Sequence, residues 1–508
     1  MKMLQYMLTA ETLAQIVEQA IPQIACGLRP DVLEALEHAC GQAADEREQV
    51  ILQQLVDNAY IAAEKQVPLC QDTGYVWVLL EVGEKYANGR PITVPANVFS
   101  LVDRAVTRAY RHGALRMSLT RDALSDRTNS YNNTPAFCEL YLNPQKKGAT
   151  LHVMLKGGGS DNASRVVMLA PGEGVEGVKR VVLEAVAEKG ANACPPLLVG
   201  IGVGGTFDKV GSLAKRALLR EVRQQKVSEK VSGGRYCSEV SGGRYCSDTT
   251  SLEQELLTEI NALGIGAGGF GGSATALAVH VLTAPCHIAA LPVAVNLGCI
   301  AQRSISIDLD VTKGTDVTKG TVPFVTSVPL ASSVTPKRLD LPATPEQLAG
   351  LRTGELVALY GTIYTMRDVG HQRTLDHLNA QGELPFGLAG QALFYAGPTP
   401  AAVGRPFGAI GPTTASRMDF ATPQLLKAGI TVTLGKGRRS PAVVRACQET
   451  GSVYLATTGG AAAYLADYVT DAEPVAWDDL GTEALQRLTL AGLPALVAID
   501  TLGGSLYA

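Results

Sequence analysis

The sequence has no block of basic residues and no apolar run long enough to cross a membrane. Over 508 residues, 44 lysines and arginines stand against 48 aspartates and glutamates, giving a formal net charge of −4 at pH 7. Proteins that bind nucleic acid usually carry a basic patch, so no nucleic-acid partner is expected. The apolar run at 288–295 is much shorter than the roughly 20 residues of a membrane-spanning helix. Because the N-terminal stretch also lacks a signal-peptide pattern, we expect a cytoplasmic protein with no membrane partner.

The sequence also lacks any pair of cysteines in a CxxC spacing. Its ten cysteines are scattered over the whole chain, which argues against a disulfide framework in a cytoplasmic protein. Most of them are expected to be small buried apolar residues, and local context has to identify any metal ligands. The composition, 46% hydrophobic and 18% charged, is that of a folded globular protein. A chain of this length is expected to form two or three domains.

The spacing of apolar residues predicts both helices and strands. Apolar residues recur three and four apart in 8–66 and in 96–113, which predicts helices there. YVWVLLEVG at 75–83 is rich in β-branched and aromatic residues and predicts a strand. CPPLLVGIGVGG at 194–205 predicts another strand, followed by a helix over 212–225. The mixture indicates an α+β or α/β protein.

A stretch rich in Pro, Ser and Thr near 327–347 predicts a domain boundary. We therefore expect an N-terminal domain over 1–330, a linker over 331–345 and a C-terminal α/β domain over 346–508. Two short duplications, VSGGRYCS within 231–247 and DVTKGT within 310–321, are interpreted as surface loops without a function of their own.

The glycine-rich run GIGVGG at 200–205 raises an alternative from another class of enzyme. A run of this kind between a strand and a helix can bind a dinucleotide, as in an NAD-dependent oxidoreductase. The spacing is GxGxGG, however, and no acidic residue ends a following strand to bind the ribose. The pattern therefore favours tight turns or close backbone packing over a nucleotide site.

Several short motifs occur in one order along the chain, and their combination is more specific than any one alone. They are VPLCQDTG (67–74), KGGGSDN (156–162), NACPPLLVGIGVGGTFDK (192–209), APCHIAALPVAVNLGC (284–299), GTIYTMRDVGH (361–371), GPTTASRMDF (411–420) and LGKGRR (434–439). Together they resemble the class I, iron–sulfur-dependent fumarate hydratases and their hydro-lyase relatives, over about residues 10–470. In many of those relatives the two halves are separate α and β subunits, which here look fused. The resemblance implies an N-terminal α+β cluster-binding domain, a C-terminal swivelling β/β/α domain, and a homodimer with the site between domains.

The resemblance also implies a [4Fe–4S] cluster bound by Cys70, Cys194 and Cys299. Thiolates are the usual ligands of such clusters because sulfur is a soft donor. With three ligands instead of four, one iron stays open as a Lewis acid for a hydroxyl and a carboxylate. A helix cap or a tight turn is the alternative explanation of VPLCQDTG, but neither would need the cysteine.

The implied substrate is a small dicarboxylate, fumarate or malate, whose two carboxylates need cationic partners. Arginine suits this task because its guanidinium offers two parallel donors. By motif match, the candidates for binding substrate are Arg116, Arg367, Arg417 and Lys436, with Arg111 or Arg121 as replacements for Arg116. Gln71 and the backbone amide of Gly158 are expected to touch substrate or cluster, and His371 and Asp368 to orient Arg367.

Three residues are candidates for proton transfer or direct catalytic contact: Asp72, Thr413 and His287. Asp72 follows a cluster ligand by two positions and is the first candidate, while a threonine base would need a strongly lowered pKa. The residues alone leave the order of Asp72 and Thr413 open. The expected activity is the reversible hydration of fumarate to (S)-malate. Tartrate dehydration and mesaconate hydration are the alternatives within the family.

Overall fold

The computed structural model describes residues 8–86, 89–222, 238–240, 243–245, 247–309, 335–401 and 407–507. Helices and strands alternate along the chain, so the protein is a mixed α and β structure, as predicted. The helices are α1 (Ala10–Cys26), α2 (Pro30–Gly41), α3 (Glu46–Lys65), α4 (Val102–His112), α5 (Gly158–Asp161), α6 (Gly174–Lys189), α7 (Phe207–Ala217), α8 (Ser247–Ala262), α9 (Pro345–Ala349), α10 (Asp368–Gln381), α11 (Thr422–Lys427), α12 (Pro441–Thr450) and α13 (Ala462–Ala466).

The strands follow the same chain order. They are β1 (Tyr75–Val82), β2 (Phe137–Leu142), β3 (Ala149–Lys156), β4 (Arg165–Leu169), β5 (Leu197–Gly204), β6 (Ser238–Val240), β7 (Gly243–Tyr245), β8 (Ala276–Ala284), β9 (Leu291–Gly298), β10 (Arg303–Asp308), β11 (Lys337–Leu341), β12 (Leu356–Thr365), β13 (Ala392–Phe394), β14 (Val432–Gly435), β15 (Val453–Ala456), β16 (Val469–Ala476) and β17 (Leu485–Ile499). The helices expected in 8–66 and 96–113 and the strand expected at 75–83 are confirmed.

The chain divides into two compact units, and each unit is made of several separate segments of the sequence. Unit 1 comprises Met1–Gly41, Asp72–Gly266 and Ser273–Val325. Unit 2 comprises Gln42–Gln71, Ala267–Gly272 and Thr326–Ala508. Helix α3 therefore belongs to the same unit as the C-terminal half, and the boundary between the units falls between Gln71 and Asp72.

Unit 1 contains two sheets in its described part. In one sheet the strand order is β10-β3-β1-β2, and in the other it is β4-β9-β5-β8-β7-β6. Strand β1 reads YVWVLLEV and is buried along nearly all of its length, as expected for a run of β-branched and aromatic residues between other layers. Helix α1 places its apolar residues, three and four positions apart, in the same core as β1, β3 and β10.

Helix α7 explains the glycines of the GIGVGG run. A Cβ atom at Gly200 would lie 2.2 Å from the carbonyl oxygen of Ala214, and one at Gly202 would lie 2.4 Å from that of Val210. Both glycines therefore let α7 pack directly on β5, which accounts for the run without a nucleotide. The predicted helix over 212–225 is wrong in its bounds, because α7 begins at Phe207 and ends at Ala217, after which the chain turns.

Unit 2 is built on a sheet with strand order β11-β12-β13-β14-β15-β17-β16. Strands β11 to β15 are parallel to their neighbours, and β17 pairs antiparallel with β12, β15 and β16. Strand β11 lies inside the segment predicted as a linker. Its residues Leu339 and Leu341 are buried in the core, while the one residue between them is exposed.

Both copies of DVTKGT and most of the VSGGRYCS duplication lie outside the described residues. Among the described helices, none has the length and apolar character to span a membrane.

Candidate active site

The turn that carries Asp72 is fixed by hydrogen bonds within unit 1. The hydroxyl of Tyr110 donates to the carbonyl oxygens of Thr73 (3.0 Å) and Gly74 (2.9 Å). The Thr73 hydroxyl donates to the carbonyl of Arg116 at 2.6 Å, which ties the turn to the arginine predicted to bind substrate. Gly74 has φ +74°, and a Cβ atom there would lie 2.4 Å from the carbonyl oxygen of Lys156. Only glycine fits this position, which explains the last residue of VPLCQDTG.

The Asp72 carboxylate is held by backbone amides and by cations. The amides of Gly158 and Gly74 donate to its two oxygens at 2.9 and 3.1 Å, and Arg116 Nη2 lies 3.5 Å from Oδ1. Burial alone would raise the pKa of Asp72, but Arg116, Arg303 and the two amides outweigh burial and lower the pKa below its ordinary value. The structure thus brings together three of the predicted residues, Asp72, Arg116 and Gly158. Asp72 is an ionised acceptor at neutral pH.

Arg303 belongs to this cluster, and sequence reasoning missed it. It is the first residue of β10, pairs with Leu155 of β3, and is 1% exposed. The sequence does carry a signal: strand alternation places Arg303 on the same face as Ile305 and Ile307, which are core residues. A charged residue on the core face of a strand is unusual and indicates a specific partner.

Two of the predicted cysteine ligands come close together in unit 1. Cys194 follows a short helical turn with φ 58°, and its carbonyl accepts a hydrogen bond from the Ile300 amide at 3.1 Å, directly after Cys299. Cys194 is buried, Cys299 is partly buried, and neither is part of a disulfide. Lys156, which is 1% exposed, donates to Ser160 Oγ at 3.1 Å and to the carbonyl of Leu297. Burial lowers the pKa of Lys156 to about 8, although Asp161 and Cys299 oppose this change.

The third predicted ligand, Cys70, lies in unit 2 together with Gln71. The Cys70 thiol donates to Gln71 Oε1 at 3.4 Å, and Gln71 Nε2 donates to the carbonyl of Pro412 at 3.3 Å. A Cβ atom at Gly411 would lie 2.3 Å from Gln71 Oε1, so glycine is needed there for the amide to pack. Gln71 is therefore placed next to the segment that contains Thr413.

Thr413 and Lys436 are joined by their backbones within unit 2. The Lys436 amide donates to the Thr413 carbonyl at 3.2 Å, and Thr414 and Lys436 form an isolated parallel bridge. The Thr413 amide donates to the Tyr395 carbonyl at 2.6 Å. Thr413 and Lys436 are 9% and 8% exposed, so both side chains are largely enclosed.

The two predicted arginines of unit 2 share a carboxylate. Arg417 donates through Nε and Nη2 to the two oxygens of Asp368 at 2.9 and 2.6 Å, and Arg367 Nη2 lies 3.7 Å from the same carboxylate. Arg367 Nη1 also lies 2.7 Å from Glu483 Oε1, a partner that sequence reasoning did not find. No motif around Glu483 identifies it as a partner of Arg367, and more than a hundred positions separate the two residues in the sequence.

His371 supports the backbone of Arg367, as expected. Both the His371 amide and its ring Nδ1 lie 2.8 Å from the Arg367 carbonyl oxygen, so Nδ1 carries the proton and donates. Burial lowers the pKa of His371 to about 4, with a further contribution from Arg439, and the ring is neutral at physiological pH. Asp368 at the start of α10 and His371 one turn later thus hold Arg367 from both sides.

His287 lies apart from the other predicted residues of unit 1. It is on the exposed turn after β8, where the Ala289 amide donates to its Nδ1 at 3.1 Å. It lines a cleft of about 670 Å³ whose other polar lining residues include Glu139, Asp208 and Arg216. Within the described residues, His287 makes no hydrogen bond to Asp72 or Arg116. The described part of the chain also shows no group of three His, Cys, Asp or Glu side chains arranged as ligands of a metal ion.

Comparison with known proteins places these residues in a family. The fumarate hydratase (fumerase) family model matches residues 14–308, and the fumarase C-terminus model matches residues 319–508. The chain belongs to the fumarate hydratase family of hydro-lyases. Class I members of that family are similar over nearly the whole chain: the anaerobic class I fumarate hydratase of Escherichia coli K12 is 29% identical, over 98% of this chain and 90% of the relative.

Two further relatives show the breadth of the family. The mitochondrial fumarate hydratase 1 of Leishmania major is 28% identical over 91% of this chain and 84% of its own length. A putative L(+)-tartrate dehydratase subunit alpha of Methanocaldococcus jannaschii is 35% identical over 57% of this chain and 95% of its own length. Class I fumarate hydratases thus share the full extent of the chain. The predicted family is confirmed.

Proposed function

We propose that the protein catalyses the reversible hydration of fumarate to (S)-malate with a [4Fe–4S] cluster, in the cytoplasm and as a homodimer. The observation that carries the proposal is the Asp72 carboxylate, held by the amides of Gly158 and Gly74 and faced by Arg116 and Arg303. Such a carboxylate can take a proton from the carbon next to a substrate carboxylate and return it in the reverse direction. Its neighbours keep it in one orientation, which is what proton transfer to a carbon requires.

The cationic residues would bind the two carboxylates of the substrate. Arg116 is 11% exposed and lies beside Asp72, and Lys436 and Arg367 are similarly enclosed in unit 2. Arg417 is half exposed and offers a planar guanidinium, which suits paired donation to a carboxylate. Gln71 Nε2 and the Gly158 amide add neutral donors. Enclosed cations bind a dianion more strongly than cations in open water, because solvent screens them less.

Thr413 remains the second candidate for the base. Its amide donates to the Tyr395 carbonyl and its carbonyl accepts from the Lys436 amide, while the next residue, Thr414, forms the isolated bridge with Lys436. A positive charge nearby favours an alkoxide, but the hydroxyl of threonine is a much weaker acid than a carboxyl group. We assign proton transfer at carbon to Asp72 and a supporting contact to Thr413. His287 is assigned a contact to substrate by motif match alone.

The donor chemistry of the chain fits the cluster. Cys70, Cys194 and Cys299 are not part of a disulfide, and soft thiolates are the usual ligands of iron–sulfur clusters. Cys299 interacts electrostatically with Lys156, and the thiolate is the form of a cysteine that binds iron. When bound, a cluster with an open iron supplies a Lewis acid for the hydroxyl group. We also propose that unit 1 is the α+β cluster-binding domain and that the sheet of unit 2 is the swivelling β/β/α domain.

An anaerobic assay of the enzyme after reconstitution with iron and sulfide tests the function. Fumarate, mesaconate and L(+)-tartrate are compared by kcat/KM, and we expect fumarate to give the highest value. Tartrate dehydration is the second candidate because the M. jannaschii relative, at 35% identity, carries that name. A higher kcat/KM with tartrate would overturn the proposed substrate but not the hydro-lyase reaction. Light scattering of the purified protein tests the homodimer.

A further inference from the structure

Arg303 is a buried cation to which the proposed reaction has not yet given a role. It is 1% exposed, and its Nε and Nη1 atoms have no hydrogen-bond partner among the described residues. Leaving the buried donors of a charged group unpaired is destabilising, so a purely structural arginine would be expected to have acceptors. The same two atoms are enclosed by protein, which prevents them from binding substrate directly.

The guanidinium faces the catalytic carboxylate across one glycine. A Cβ atom at Gly157 would lie 3.3 Å from Asp72 Oδ2 and 3.6 Å from Arg303 Nη2, so both groups lie on the same side of that glycine. Asp72, Lys156 and the Tyr110 hydroxyl each interact electrostatically with Arg303. No ion pair within 4 Å joins Arg303 to Asp72 among the described residues, so Arg303 acts on that carboxylate through its charge. Because Lys156 is a cation, Asp72 is the group whose charge offsets that of Arg303.

We propose that Arg303 is a positioning residue that holds the Asp72 carboxylate in its reactive orientation from the buried side of the cluster. Arg116 and the Gly158 amide hold the same carboxylate at other points, so its two oxygens are fixed by independent groups. The inference rests on the proposed role of Asp72. Arg303 acts through that residue, and its loss lowers the rate without changing how well the substrate binds.

A double-mutant cycle tests this directly, because two residues that act through one another have non-additive effects. Four reconstituted enzymes are compared in fumarate hydration: the unchanged protein, Arg303→Met, Asp72→Asn, and the double variant. We expect Arg303→Met to lower kcat by about tenfold or more and to change KM by less than about threefold. In the Asp72→Asn background, the same substitution should change kcat by less than about twofold. Iron per chain, measured on each protein, should stay at the level of the unchanged enzyme.

Conservative and control variants separate positioning from simple structural support. Arg303→Lys keeps the charge and should recover part of the rate that Arg303→Met loses. Arg220→Lys changes a partly buried arginine of unit 1 that pairs with Glu253, and it should leave kcat unaltered. Gly157→Ala keeps both charged groups and, with an extended backbone at that position (φ −73°, ψ 141°), should fold while displacing the Asp72 carboxylate by a few tenths of an ångström, because the new Cβ atom would lie 3.3 Å from Asp72 Oδ2. It should lower kcat severalfold at constant iron content, and it serves as the test if Arg303→Met fails to fold.

The outcomes that overturn the inference are distinct from failure of the proposed function. A loss of kcat that is equally large with and without Asp72 would show that Arg303 supports the fold only. A raised KM at unchanged kcat would make it a substrate-binding residue, and unchanged kinetics in both Arg303→Met and Gly157→Ala would remove it from the site. If Asp72→Asn is itself fully active, the assignment of Asp72 fails first.

Discussion

The charged clusters of unit 1 and unit 2 use the same residue types in different proportions: cations outnumber carboxylates in unit 1, and the two are equal in number in unit 2. In unit 1, one carboxylate, Asp72, faces the cations Arg116 and Arg303. In unit 2, Arg367 and Arg417 face two carboxylates, Asp368 and Glu483. The first arrangement keeps an acid ionised and fixed, which suits a group that accepts a proton from carbon. The second keeps two arginines in place and neutralised until a dianion binds.

The burial of the two clusters differs in the same sense. Arg303 is almost fully buried and cannot move without disturbing β10, whereas Arg417 is half exposed and held only through Asp368. A rigid cluster suits chemistry at one carbon, and an adaptable one suits capture of a carboxylate. We therefore propose that unit 1 acts mainly in catalysis and unit 2 mainly in substrate binding. The following predictions test that division.

The largest effect is expected at a cysteine, because loss of the cofactor would disable both functions. Cys194→Ser should abolish or badly impair iron binding and leave no measurable activity, since a hard oxygen ligand suits the cluster poorly. Iron and sulfide per chain, measured after anaerobic reconstitution, check this. Cys286→Ser is the matched control: its thiol is exposed and donates to the Ala290 carbonyl, and its iron content should be unaltered. Full iron in Cys194→Ser would remove that residue from the ligand set.

A smaller effect is expected from Arg417→Lys, which keeps the charge but loses the two-donor guanidinium. We expect kcat/KM to fall by about a hundredfold, equivalent to about 2.7 kcal/mol of transition-state stabilisation. Steady-state kinetics with fumarate check this at matched iron content. Arg373→Lys provides the control, because Arg373 also pairs through two donors with an aspartate, Asp479, in unit 2. Near-normal kinetics of Arg417→Lys would mean that unit 2 does not bind substrate through this residue.

Site residues that lie within motifs could be predicted from the sequence. Site residues that only the fold places beside them could not. Asp72, Arg116 and Gly158 were predicted, and in unit 1 Asp72 contacts both of the others. Arg303 and Glu483 were missed, because their partners are hundreds or more than a hundred positions away and pairing between β-strands or loops sets their contacts.

Prediction of the strands and helices from the sequence is limited in a similar way. Strand β1 was predicted because its β-branched and aromatic residues are buried as a continuous run. The end of α7 was not, because apolar spacing continues past Ala217 although the chain turns there. Periodicity reports which face can be buried but not where a helix stops. His287 is a third kind of case: its motif is present, yet its contacts lie on an exposed turn.

A still smaller effect is expected from Asp368→Asn, which removes the carboxylate shared by Arg367 and Arg417. The two arginines lose their common anchor, and we expect kcat/KM to fall by about tenfold, or about 1.4 kcal/mol, mainly through KM. Inhibition by a non-reactive dicarboxylate should weaken in parallel, and measuring its inhibition constant checks the binding role. If kcat alone falls while the inhibition constant is unchanged, unit 2 takes part in the chemistry and the division between the units is wrong.

The smallest effect is expected from a carboxylate of unit 1 that resembles Asp72 in its charges but lies at the other end of β1. Glu81 is 3% exposed; Asn143 donates to its Oε1 at 2.9 Å, and Lys146 Nζ and His152 Nε2 each lie 3.6 Å from Oε2. Burial opposes ionisation, but these partners lower the pKa of Glu81 to about 2. Glu81→Gln should cost about 1–3 kcal/mol of unfolding free energy at pH 7, with no change in kcat or KM.

The pH dependence of this loss follows from the direction of the shift. The folded pKa of Glu81 is about 2, below the ordinary value of 4.5, so the stability that its ionised form contributes is complete above pH 4.5 and is lost as the pH falls toward 2. The difference in unfolding free energy between the unchanged protein and Glu81→Gln should therefore be constant from pH 7 to 5 and shrink below pH 4.5. Urea denaturation at several pH values measures it. Asp72→Asn is expected to lower kcat, and Glu81→Gln is not. If Glu81→Gln also lowers kcat, ionisation and pairing with cations do not distinguish a catalytic carboxylate in unit 1. The assignment of Asp72 would then need support from its amide contacts alone.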